Sequence, residues 1–277
     1  MCPLRTANPR PVCHFFNRPV AAMLKRILLI TFLCGAARGA AATDYTDIWY
    51  NAVEPGYGFN IVQSDSFMFV TFFVYGSNNS PTWFTAQVNQ DNTGNFNGQL
   101  FSTMGTYFAM PWLGFTGGPV GTVSFQPTGP YTARLVYTVT GVATVTANIQ
   151  RQPLTPITIG GSYTGGLNLS QAGCANAGSG TTNVDIDVTQ TPNNTGPASL
   201  VFSYPGGLVC TFSGNLTAWG KLYQMASATY TCNGIPPRNT TGRLDEIAAT
   251  AHGIEGTWSA PVEGGCTESG TFSAVLK

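Results

Sequence analysis

The sequence predicts an all-β protein built from two tandem antiparallel β-modules, up-and-down barrel-like or sandwich, with about eight strands each. Three observations carry this expectation. Charged residues make up only 9% of the 277 residues while Gly numbers 33 and Pro 18, a balance unlike that of helical bundles, coiled coils or disordered chains. Apolar and polar residues alternate at period two around short turns. The composition also changes across Pro153-Leu154-Thr155-Pro156: residues 44–152 hold 21 aromatics and no Cys, while residues 157–277 hold nine aromatics and four Cys. Pro lacks an amide donor and keeps the preceding residue out of the helical region, so this pair reads as a stiff linker.

In the first module, Tyr131, Ala133, Leu135, Tyr137 and Val139 alternate with polar positions, Thr140-Gly141 turns the chain, and Ala143, Val145, Ala147 and Ile149 resume the pattern. That is a β-hairpin signature. Residues 67–75 are apolar on both faces and read as a central strand. Gly76–Pro81 and Asp91–Asn95 are turn clusters. Strands are expected at 46–50, 57–63, 67–75, 82–89, 96–102, 120–126, 131–139 and 142–150. The second module has the same style, with Val184, Ile186 and Val188 alternating with Asp185, Asp187 and Thr189. Its strands are expected at 161–170, 182–190, 198–204, 208–215, 221–232, 243–251, 254–259 and 268–276. The segment 243–251 reads equally as strand or as a helix of two turns.

Residues 1–42 read as a targeting segment. Lys25-Arg26 precedes the apolar run Ile27–Ala37, and Ala40-Ala41-Ala42 closes it. Basic, apolar and small-residue regions in that order make a signal peptide, with Met23 as a natural start. The apolar run is shorter than the ~20 residues a helix needs to cross a bilayer, so the mature form is expected to have no transmembrane segment and to be periplasmic or extracellular. Six of the twelve basic residues precede residue 43, and all twelve carboxylates follow it. The remainder therefore carries six basic and twelve acidic groups, a balance that excludes a phosphate-binding face and hence nucleic acid as a partner.

Four cysteines follow residue 43, at Cys174, Cys210, Cys232 and Cys266. An even number in an exported chain points to disulfides, and the wide gaps fit poorly with the paired spacing of a zinc site. In an eight-strand meander, Cys174 ends the first strand and Cys266 starts the last, and barrel closure makes those strands neighbours. Cys210 and Cys232 lie on the fourth and fifth strands at the same end. The expected pairs are Cys174–Cys266 and Cys210–Cys232, the second out of simple hairpin register.

Chemistry is sparse. His252 is the sole histidine after residue 43, no G-x-S-x-G occurs, and no phosphate loop is present. No metal or cofactor site is expected. Asp47 and Glu54 are the weak candidates for a catalytic carboxylate pair, because a hydrolase of that class sets two carboxyls about 5–9.5 Å apart. The stronger constellation is aromatic. Trp49, Tyr50, Asn51, Glu54 and Tyr57 cluster in sequence, and Trp83 joins them from a later strand. Flat rings beside amide and carboxylate groups suit a sugar or small ligand. Extended backbone sends Trp49 and Tyr50 to opposite faces, one toward the core and one toward solvent.

The stretch Asp47-Ile48-Trp49-Tyr50-Asn51-Ala52-Val53-Glu54-Pro55-Gly56-Tyr57-Gly58-Phe59-Asn60 resembles the opening of an exported bacterial β-module with the pattern D-x-W-[WY]-N-x-x-E-x-G-[WY]-G-x-N. Pro81–Phe84 and Ile149–Gln152 fit the same resemblance. The second half, opening on Gly161-Ser162-Tyr163-Thr164-Gly165, resembles the Cys-containing β-module that follows it. The resemblance implies export and β-structure, and supplies no catalytic residues. The functional expectation is an exported, non-enzymatic binding protein that presents an aromatic surface to a small ligand, glycan or envelope component. A carboxylate-dependent hydrolase and a structural or inhibitory protein-binding module are the competing classes.

Overall fold

Sixteen antiparallel strands close into two eight-stranded barrels in the computed structural model, which describes residues 43–154, 158–174, 177–191, 196–234, 238–262 and 265–277. The expected signal peptide, and Thr155-Pro156 of the expected linker, lie outside the described residues. The first barrel runs β1 (Asp47–Tyr50), β2 (Gly58–Ser64), β3 (Phe67–Tyr75), β4 (Pro81–Gln90), β5 (Phe96–Gly105), β6 (Phe115–Pro127), β7 (Thr132–Val139) and β8 (Ala143–Arg151). The second runs β9 (Gly161–Ala172), β10 (Ser179–Gln190), β11 (Gly196–Ser203), β12 (Val209–Trp219), β13 (Leu222–Cys232), β14 (Arg238–Ala249), β15 (Gly253–Val262) and β16 (Cys266–Leu276). Each strand pairs with its sequence neighbours, and β1–β8 and β9–β16 close the rings. Of the two arrangements open in the sequence, the barrel is the one adopted.

Eight strands leave an interior that side chains can fill. In the first barrel, Phe59 meets Phe72 edge-on at 5.1 Å between ring centroids, and Trp49 meets Phe125 at 5.4 Å. In the second, Phe212, Tyr230 and Trp258 pack together, with Phe212 stacked on Tyr230 at 4.5 Å. The alternation seen in the sequence thus separates core from surface in both rings.

Of the two readings of 243–251, the strand is the one adopted: residues 243–249 belong to β14, whose ladder to β15 shifts between Asp245 and Ala248. Glu246 sits at that bulge with φ 51°, a backbone twist that turns its amide out of the sheet. β5 and β6 differ more from the expected strands 96–102 and 120–126. They instead continue pairing with each other, from Phe101↔Pro119 to Gly105↔Phe115. Gly117 is required in this stretch, because a Cβ there would crowd the Ser102 carbonyl at 2.7 Å.

The seam that closes the first barrel is short. Only Trp49↔Arg151 and Tyr50↔Gln150 pair β1 with β8. The Gln152 amide adds a bond to the Ile48 carbonyl, and Arg151, fully buried, adds several more. Its guanidinium donates to the Asp47 carboxylate at 3.0 Å, to the Pro130 carbonyl at 2.9 Å, and to the carbonyls of Thr46 and Asp44. It also lies 5.1 Å from the Trp49 ring centroid, a cation–π contact in a desolvated setting. One side chain therefore ties the start of β1, the β6–β7 turn and the end of β8.

Asp47 also joins the barrels, which belong to one compact unit, Asp44–Lys277. Its carboxylate accepts the Lys221 amide at 3.0 Å from the β12–β13 turn. The approach is so close that a Cβ on Gly220 would overlap that carboxylate, and Gly220 has φ +61°. Beside it, Tyr131 stacks on Trp219 at 5.4 Å, and its hydroxyl accepts the Glu246 amide at 2.7 Å. Burial pushes the Tyr131 phenol well above its ordinary pKa. The Lys221 ammonium pairs with Asp44 at 2.7 Å. Burial raises the Asp44 carboxyl, but hydrogen bonds from Lys221 and Thr46 outweigh it and hold the group below its ordinary value.

Disulfides link Cys174 to Cys266 and Cys210 to Cys232. The second pair is directly opposite in the ladder, Cys210↔Cys232. The register mismatch in the sequence reading came from ending the fourth strand at 215: β12 runs to Trp219, and a bulge between Gly214 and Thr217 absorbs the offset. Both bridges sit at the end of the second barrel away from the β12–β13 turn. They span 92 and 22 residues, and bridges of such lengths stabilise by roughly 2–4 kcal/mol each.

Replacing Arg151 by Met leaves Asp47 charged and buried without its partner. Arg151→Met is expected to destabilise the protein by about 3–5 kcal/mol, read by denaturant unfolding. A loss below about 1 kcal/mol, the level of an exposed pair, would show that the seam does not depend on it.

Candidate functional site

The β-ladder fixes which side chains of the first barrel share its outer face, because directly paired residues point the same way. One row runs across four strands: Tyr50 pairs with Gly58, Gly58 with Phe73, and Phe73 with Trp83. Phe73 is 58% exposed and Trp83 50%. Tyr50 is half-buried, and its hydroxyl accepts the Gln150 side-chain amide at 3.2 Å. Gly58 has no side chain, so the row has a gap between Tyr50 and Phe73. With neighbouring strands about 4.8 Å apart, that gap is about 10 Å wide. Tyr75, exposed and two residues beyond Phe73, extends the surface at the rim.

The next row, Ile48–Asn60–Thr71–Thr85, is mixed apolar and polar. The one after it sets Val62 beside Phe69 and Gln87. The face thus alternates rings with amides and hydroxyls, and carries no charged group on β2, β3 or β4.

The sequence-predicted residues separate into three groups. Trp49 is 0% exposed. Its ring packs in the core and its Nε1 donates to the Tyr45 carbonyl at 3.0 Å, so it is a packing residue with no face for a ligand. Tyr50 and Trp83 lie on the outer row. Asn51, Glu54 and Tyr57 form a polar cluster on the β1–β2 turn. Asn51 Nδ2 donates to Glu54 Oε2 at 3.0 Å and to the Tyr57 hydroxyl at 3.3 Å, while that hydroxyl donates to Glu54 Oε2 at 2.7 Å. Burial, then the Glu54 carboxylate, raise the Tyr57 phenol pKa. Asn51 Oδ1 accepts the Val53 amide, and Tyr75 donates to the Gly56 carbonyl at 3.0 Å. The cluster holds the turn against the end of β3, beside the aromatic row.

Asp47 does not join Glu54. It lies at the start of β1, buried on Arg151, whereas Glu54 is on the turn that follows β1 and is engaged by Asn51 and Tyr57. The two carboxylates thus have separate structural partners. Asp91, which caps its own turn through Thr93, Asn95 and Asn97, is likewise structural. Among the described residues, no group of three or more His, Cys, Asp or Glu is placed to hold a metal, and no helix is long and apolar enough to cross a membrane.

Sequence reasoning missed Phe73 and Tyr75. Residues 67–75 looked doubly buried, since both faces are apolar. The signal available was its neighbour: β4 alternates Trp83, Thr85 and Gln87 on one face with Ala86 and Val88 on the other, so its outer side was legible as solvent-facing.

No family model matches the chain, and no curated protein does. Among solved structures, a double mutant of the vaccine antigen transferrin-binding protein B from Haemophilus parasuis Hp5 is similar over 79% of this chain, with 9% identity and a TM-score of 0.31. The chain spans 65% of the length of that protein.

Core and surface rings are distinguishable by substitution. Trp49→Ala is expected to cost about 3–5 kcal/mol of stability, whereas Trp83→Ala and Phe73→Ala should each change it by about 0.5 kcal/mol or less. Thermal unfolding of the three variants checks this, and a collapse in Trp83→Ala would make that residue part of the core.

Proposed function

We propose that this is an exported, non-enzymatic binding protein whose first barrel presents its outer aromatic row to a small ligand, glycan or envelope component. A glycan is the occupant that the surface fits best. The observation that carries the reading is the row Tyr50–Gly58–Phe73–Trp83. Two aromatic borders with a glycine gap between them give a ring-shaped apolar ligand a slot of about 10 Å, and Asn60, Thr71 and Gln87 beside it supply hydrogen bonds without charge. The strands that hold these side chains are closed in a barrel, so little ordering entropy is lost on binding. Two disulfides and the apolar, basic-flanked leader expected in residues 1–42 support export.

A glycan array with the exported protein tests the reading. Trp83→Ala and Phe73→Ala are expected to weaken the strongest hit by about tenfold or more, as truncation of an anchoring ring does, with Tm nearly unchanged. Absence of any hit, or a hit indifferent to both substitutions, would overturn the glycan assignment. Turnover that disappears in Glu54→Gln would replace binding with hydrolysis.

A further inference from the structure

β5 and β6 extend beyond the barrel that contains them. The last partner of β5 on β4 is Phe101, opposite Thr85, and the first partner of β6 on β7 is Gly121, opposite Val139. Between those points, residues 102–118 pair only with each other and form a two-stranded arm. Its tip carries Tyr107, Phe108, Met110, Trp112, Leu113 and Phe115, all exposed, with Phe108 at 91% and Leu113 at 88%. An isolated hairpin is marginal in water, and apolar exposure on this scale marks an interaction site.

Several of the tip's polar groups are satisfied within it. Thr106 donates its amide and its hydroxyl to the Gly114 carbonyl, and its hydroxyl oxygen accepts the Leu113 amide. Met110 donates to the Tyr107 carbonyl, and Pro111 has no amide proton. Trp112 packs back on Gly105. No Asp, Glu, Lys or Arg occurs from Asn92 to Ala133. A projection with no charged group and six exposed apolar side chains offers no complement to a charged surface. It suits an apolar, uncharged one.

The rest of the barrel is polarised in the same sense. The β1–β2, β3–β4 and β7–β8 turns lie at the end that bears the arm, and two of them expose apolar residues, Val53 and Val142. The one carboxylate among these turns, Glu54, is held by Asn51 and Tyr57. At the opposite end, the β2–β3 and β4–β5 turns carry Asp65 and Asp91, and Asp47 and Tyr131 meet the second barrel.

We infer that the β5–β6 arm docks the first barrel on an electrically neutral lipid surface. Phe108, Met110 and Leu113 enter the acyl boundary, while Trp112 and Tyr107 stay at headgroup depth, where amphipathic rings are favoured. The described residues offer no basic patch, so the attraction does not depend on anionic lipid.

The test is co-sedimentation of the exported protein with phosphatidylcholine vesicles. Binding is expected to vary less than about twofold between about 50 mM and 500 mM salt, where screening of exposed charges is already strong. Phe108→Asp and Leu113→Asp should each lower partitioning by about tenfold or more, because an added charge is costly even at the interface. Both sites are exposed, and an unchanged Tm confirms the fold. Brominated acyl chains should quench tryptophan emission in the wild type and lose that effect in Trp112→Phe. Failure of the wild type to bind, equal binding by Phe108→Asp, or salt-sensitive binding to anionic vesicles alone would overturn the inference. So would a dimer in light scattering that Phe108→Asp dissolves, which would give the arm to a second copy of the chain. Phe108→Asp leaves glycan binding intact and Trp83→Ala leaves vesicle binding intact, so either reading fails independently of the other.

Discussion

The buried pair of Arg151 and Asp47 is the constraint on which the first barrel and its junction with the second both rest. A barrel has no free edge once it closes, but here closure relies on two residue pairs between β1 and β8. The guanidinium compensates by bonding to two separate segments, residues 44–47 and the β6–β7 turn, and by lying over Trp49. Because Asp47 is neutralised from within the first barrel, its other lone pairs are free to accept the Lys221 amide from the second. Ring closure and barrel contact thus share one carboxylate. Such a pair has a large desolvation penalty, and its geometry must be maintained by many bonds at once.

That arrangement leaves the other end of the barrel available for interaction. At the Asp47 end, Asp47 and Tyr131 are engaged by Trp219, Gly220 and Glu246. The β1–β2 turn is fixed instead by Asn51, Glu54 and Tyr57, a small network of neutral and acidic groups that uses side chains first read as ligand contacts. Their contribution is to hold a rim beside the aromatic row. Glu54 accepts two hydrogen bonds within this network, which gives the carboxylate a structural task.

The second barrel has a different source of order. Its two disulfides close one end, and its interior is stacked aromatic rings. Charge is sparse in both barrels, so packing and cross-links take the place that surface ion pairs occupy elsewhere. Ion pairs such as Lys221–Asp44 and Lys277–Asp185 are exposed and contribute little.

Sequence alone determined the all-β class, the eight-strand count of each half and the division between an aromatic and a Cys-bearing part. Period-two alternation, as in Tyr131–Val139 and Val184–Val188, is a local property that survives any tertiary arrangement. It also determined that Trp49 and Tyr50 face opposite sides, since backbone geometry alone requires it. What only the tertiary structure decided was which outward side chains stand together. Phe73, Tyr75 and Trp83 become one surface through strand register, and register links residues distant in sequence. The β5–β6 arm was hidden for a similar reason. Its glycines and Pro119 are local breakers, and only the cross-strand ladder from Phe101 to Phe115 shows that they pair. The roles of Arg151 and Asp47 likewise depend on partners about a hundred residues apart, which no local pattern can encode.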